Sequence, residues 1–155
     1  HAPIGWDGQE VFPGIIDRPL RQPVKISEYR TGVAWSIVVA HPRGSTLVQG
    51  SAGFVENKLA SETVDIVMLG VGGLAGLGEK YTRSYWDETV RATDASRVIA
   101  IHHDDYAAPF GEVRLMPDLL DKVVRTAGWL DKRVAETNGT VSIELPPFGQ
   151  PIILY

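Results

Sequence analysis

The chain has 155 residues, 44% hydrophobic and 22% charged, with a formal charge of −4 and no cysteine. That length suffices for one domain with a real core, and the lack of cysteine excludes disulfides, thiolate nucleophiles and zinc sites built of sulfur. The negative balance offers no nucleic-acid or acidic-lipid surface, no apolar run approaches the roughly 20 residues of a membrane span, and no signal peptide is visible. A soluble chain is expected, with the cytoplasm favoured, although cysteine usage alone does not fix the compartment. Because it begins at His1 rather than methionine, it reads as processed, trimmed or part of something longer.

Residues 1–32 are expected to be irregular, since Pro13, Pro19 and Pro23 interrupt any helix or central strand. Trp6, Val11, Phe12, Ile15, Ile16 and Leu20 are nevertheless too apolar for a disordered tail. This opening reads as a loop lying across a surface, at the mouth of a site. Residues 33–145 should hold the sheet and helices. Val33–Ala40 and Thr46–Gly50 predict a hairpin around Pro42–Ser45. A short helix is predicted over 55–62 and a buried strand over Val64–Leu69. That strand runs into a glycine-rich loop, Gly70–Gly78. Tyr81, Tyr85, Trp86 and Val90 then place one apolar face on a helix from Glu79 to about Thr93. Arg97–Ile101 is the next strand, so strand, helix and strand imply a parallel pair. After a loop over 103–117, Met116-Pro117-Asp118 opens a long helix with Leu119, Leu120, Val123, Val124, Ala127, Leu130 and Val134 as its apolar stripe. Asn138-Gly139 ends it, Val141–Leu145 is a last strand, and 146–155 is a tail.

Chemistry concentrates at Arg97-Val-Ile-Ala-Ile-His102-His103-Asp104-Asp105, a strand ending in imidazoles and carboxylates. Open sheets keep ligand sites just past the carboxyl ends of their strands. His102 there can bind a metal through one nitrogen while Asp104 or Asp105 orients the ring through the other. It can equally cap the following loop without any ligand. Neighbouring residues at a strand end point to opposite faces, so His102 and His103 are not expected to share one ion. His41, before Pro42 in the hairpin turn, reads as solvated.

Gly70-Val-Gly72-Gly73-Leu-Ala75 fits a dinucleotide fingerprint, with Asp94 following. The context is wrong, because the helix is expected only near Glu79, so no phosphate would sit on its N-terminus. The glycines are better explained by a backbone that passes close to a site or to another loop. Asn138-Gly-Thr140 matches a glycosylation acceptor, but helix termination explains the same residues. Ser51, in Gly50-Ser-Ala-Gly53, lacks the G-x-S-x-G frame and the oxyanion element of a serine hydrolase.

Leu47-Val-Gln-Gly-Ser-Ala-Gly-Phe54, Asp65-Ile-Val-Met-Leu-Gly-Val-Gly-Gly73, Tyr85-Trp-Asp-Glu-Thr-Val90 and Arg97–Asp105, in that order, resemble the C-terminal half of a metallo-β-lactamase-fold hydrolase. The likeness is to the branch of uncharacterised bacterial members that also resembles lactonases and phosphodiesterases. It runs from His1 to about Arg133. The resemblance implies an α+β or α/β fold: one ββα half of a four-layer αββα sandwich, with a mixed sheet and helices on one face. It implies a divalent metal, zinc before iron or manganese, held between two halves. His1 and His102 would be this chain's ligands, and Asp104 and Asp105 candidates for holding the ring. Ser51 stands where the family has a bridging aspartate, so a single metal or a differently bridged pair is expected. The H-x-H-x-D-H motif of the first half is absent.

The expected function is therefore metal-dependent hydrolysis of a small ester, lactone or phosphodiester by metal-bound hydroxide. Catalytic zinc sites use about three protein ligands, so this chain alone is expected to be silent. The expected partner is the missing N-terminal half, or another chain covering the exposed face; no nucleic acid or membrane is implicated. The alternative is a non-catalytic binding or structural domain that keeps the fold. A third reading takes His1 as a mature N-terminus that binds copper through its amine and imidazole.

Overall fold

The computed structural model describes residues 11–30, 32 and 35–155. The chain divides into two compact units, His1–Trp35 and Ser36–Tyr155. In the first, the described residues form a single 3-10 turn, Ile26–Glu28, in otherwise irregular chain. The Lys25 amide donates to Glu28 Oε2 at 2.9 Å and closes that turn. The prolines account for the irregularity, because each fixes φ and removes a backbone donor.

The second unit is α+β, built on a mixed five-stranded sheet in the order β1-β2-β3-β4-β5. The strands are β1 Ser36–His41, β2 Gly44–Gln49, β3 Ile66–Gly70, β4 Arg97–Ile101 and β5 Ser142–Glu144. β1 and β2 form the predicted hairpin, while β2, β3, β4 and β5 run parallel to one another. Parallel neighbours require crossovers. Between β3 and β4 the chain makes α1 (Leu74–Leu77), α2 (Glu79–Trp86) and a π-helical turn (Asp87–Arg91); between β4 and β5 it makes α3 (Val123–Ala135).

Register puts Leu47, Val67, Val98 and Ile143 in one row across the sheet, and Gln49, Leu69 and Ala100 in the next on the same face. Leu47, Val67, Leu69, Val98 and Ala100 form one core with Tyr85, Trp86 and Val90 of the α2 segment and Leu130 of α3. Burying each large side chain contributes about 1.5–3 kcal/mol. Gln49 is tolerated in that face because its amide is satisfied: Nε2 donates to Gly53 O at 2.5 Å and Oε1 accepts from Ser36 Oγ at 2.5 Å. The opposite face carries Thr46, Ile66 and Ile99, also buried. The C-terminal segment reaches residues of that face. Tyr155 OH lies 2.5 Å from Thr46 Oγ1, and Arg97 donates to Ile153 O at 2.7 Å while pairing with Glu144.

Several predicted elements shift, each for a local reason. The helix expected over 55–62 is a series of turns over 56–61, because Asn57 sits at φ 59 in the left-handed region. The helix expected from Glu79 to Thr93 leaves α geometry after Trp86; Ala92 N–H donates to Asp87 O, five residues back. Thr89 Oγ1 donates to Tyr85 O at 2.6 Å and Thr93 Oγ1 to Thr89 O at 2.8 Å, hydroxyls competing for the carbonyls that amides would take. The long helix opens at Val123 rather than at Pro117. Its buried stripe narrows to Val123, Thr126 and Leu130, whereas Leu119 and Leu120 are exposed.

Candidate functional site

The carboxyl ends of β2, β3 and β4 lie side by side, and the segments leaving them meet. After β2 comes Ser51, half-buried; after β3 the glycine loop; after β4 His102, exposed. Contact between these tips needs glycine. A β-carbon at Gly70 would lie 2.8 Å from Gln49 O and 2.9 Å from Gly50 O. One at Gly72 would lie 2.6 Å from His102 O and 3.2 Å from His102 Nδ1. The glycines thus allow the loop to fold against the neighbouring tips, the close approach expected from the sequence.

Hydrogen bonds stitch this edge from below. Tyr85, on α2, is fully buried, and its hydroxyl lies 3.0 Å from both Ser51 O and Gly70 O, so one phenol joins the β2 and β3 tips. Tyr81, one turn earlier, donates to Ala52 O at 2.8 Å. Burial raises the Tyr85 pKa far above the ordinary phenol range, and neighbouring Tyr81 adds to the effect; Tyr81 is itself raised by burial. Both phenols therefore stay protonated as donors at neutral pH. Val71 N–H donates to Ile101 O at 3.0 Å, and Gly73 N–H donates to Asp121 Oδ2 at 2.8 Å.

That last bond also bears on the nucleotide fingerprint. A one-turn helix, α1, does open inside the glycine run, contrary to the expectation that helix begins only near Glu79. Its leading amide, Gly73 N–H, is already occupied by a carboxylate, which would also repel a phosphate.

His102 and His103 diverge, but not through the pleat of a strand. His102 has φ 56, so extended alternation ends at Ile101. His102 is exposed, and Nδ1 and Cε1 are the ring atoms that a β-carbon at Gly72 would approach, at 3.2 and 3.4 Å. His103 is half-buried and lines a pocket of about 290 Å³ with Val71, Ala100, Leu115, Val123 and Leu130. Asp104 pairs with Leu115 through an isolated bridge. Asp105 Oδ1 accepts from Ala107 N–H at 2.9 Å, an Asx turn of its own loop. Neither carboxylate is hydrogen-bonded to His102 among the described residues. His1 lies outside the described residues. His41, the hairpin histidine, stacks on Tyr155 with ring centroids 5.7 Å apart.

Among the described residues, no group of three or more His, Asp or Glu side chains converges where a metal ion could sit. One exposed imidazole beside a serine and a glycine loop does not by itself supply the roughly three protein ligands of a catalytic zinc. Sequence reading missed Tyr85 and Asp121 as part of this edge. The signal was the glycine loop itself, since a chain that needs so many glycines has close neighbours to accommodate. No family model, curated protein or solved structure matches the chain.

Proposed function

We propose that this chain is the C-terminal half of a metal-dependent hydrolase of the metallo-β-lactamase superfamily, with His102 as its contribution to the metal site. The observation that carries the reading is the carboxyl edge: Ser51, the glycine loop and an exposed His102 lie together just past the ends of three parallel strands. The core linking α2 and α3 to one sheet face supports one ββα half of a four-layer sandwich. His1 and the residues of the first half would complete the ligand set, most simply around zinc, with iron or manganese as alternatives. Bound metal would supply hydroxide near neutral pH to a small ester, lactone or phosphodiester. Asp104 or Asp105 would orient the His102 ring once it is ligated. Serine at the β2 tip, in place of a bridging carboxylate, favours a single metal or a differently bridged pair. The same serine is the observation behind the second reading, a binding or structural domain that keeps the fold without a working site.

Elemental analysis separates them. The protein carrying the first half should contain zinc, iron or manganese, and His102→Ala should lose most of it. Equal and negligible metal in both proteins would overturn the enzyme reading.

A further inference from the structure

We propose that Asp121 is a positioning residue for His102, acting through Gly73 and Gly72. The inference deepens the reading of His102 as a ligand, although the contacts that carry it need no metal. Asp121 lies between β4 and α3, one residue before Lys122, the α3 N-cap. Here α3 has no side-chain cap. Asp121 Oδ2 accepts from Gly73 N–H at 2.8 Å, across 48 residues of sequence, and Oδ1 is buried without a hydrogen-bond partner among the described residues. The glycine loop is consequently held on both sides of Gly72, by Ile101 O at Val71 and by Asp121 at Gly73. Gly72, between the two, is the residue that abuts the His102 carbonyl and ring. Any displacement of Gly73 is transmitted to Gly72 and then to the imidazole. Asp121 thereby sets where the His102 ring stands against the loop.

The test is the ring spectrum of His102 at one fixed pH, in protein labelled with ¹³C only in histidine and without added metal. The peak is assigned by its loss in His102→Ala. Asp121→Ala and Asp121→Glu should shift the His102 Hε1 and Cε1 resonances, the first by releasing Gly73 and the second by displacing it. Asp121→Asn keeps an acceptor oxygen for Gly73 and should return them to the wild-type position. His41, stacked on Tyr155, is the internal reference and should not move. If Asp121→Ala fails to fold, the Glu and Asn variants decide alone. An unmoved His102 in Asp121→Glu, an equal shift in Asp121→Asn, or a His41 that moves with His102 would overturn the proposal. Metal content of the wild-type protein with its first half bears only on the hydrolase reading, so the two failures are distinguishable.

Discussion

At the scale of single residues, the carboxyl edge depends on two groups that carry no reactive chemistry. Tyr85 holds Ser51 O and Gly70 O with one hydroxyl in a fully buried position. Tyr85→Phe removes the one buried donor that the two carbonyls share, and a loss of about 1–3 kcal/mol is expected, read as a lower denaturant midpoint. The same phenol imposes a pH dependence. Below its ordinary value of 10.0 the phenol is neutral in both folded and unfolded chains, and its contribution is fully present. Above that value the unfolded chain releases the proton while the fold retains it, so stability should fall as pH rises. Urea titrations on either side of pH 10.0 should show a shallower fall in Tyr85→Phe; an identical fall would remove Tyr85 from the explanation. Gly72 is the second group. Its β-carbon would meet a backbone oxygen at 2.6 Å, which cannot swing aside as a side chain can. Gly72→Ala should cost about 1–3 kcal/mol and displace His102, visible as a shifted imidazole resonance and a lower melting temperature.

At the scale of elements, burial rather than sequence periodicity decides what each helix contributes. The apolar residues from Leu119 to Val134 look like one continuous stripe in sequence, yet Leu130 is 3% exposed and Leu119 is 95% exposed. Leu130→Ala should destabilise by about 2–5 kcal/mol, by lost burial and the cavity left behind. Leu119→Ala should change stability by no more than about 0.5 kcal/mol, as for other exposed positions. Comparable losses in the two thermal melts would show that the stripe continues through Leu119. The physical difference is that α3 starts only at Val123, beyond Leu119, after Asp121 has bonded to Gly73. The α2 segment shows the complementary case. Its apolar face was legible from Tyr81, Tyr85, Trp86 and Val90, and Tyr85, Trp86 and Val90 are buried in the core. Its π-helical end, Asp87–Arg91, was not legible in that spacing.

At the scale of the whole molecule, β1 is exposed along its length, with apolar Ile37, Val38 and Val39 among its residues. An edge strand of this kind presents unpaired backbone groups beside apolar side chains. The isolated chain should therefore self-associate with rising concentration in light scattering, and addition of the proposed first half should reduce that association. A monodisperse monomer at all concentrations would argue that no partner is needed. Sequence by itself determined the order of the five strands, the hairpin, the parallel β3–β4 pair and the extent of β4, because period-2 and period-3.6 patterns and turn residues are local signals. It also marked the glycine loop as a place of close approach. Only the tertiary structure decided that Gly72 lies against His102, that Asp121 and Tyr85 hold this edge, and that His103 turns to the pocket under α3. Those contacts join residues far apart in sequence, and no pattern within one segment encodes which distant backbone it will meet.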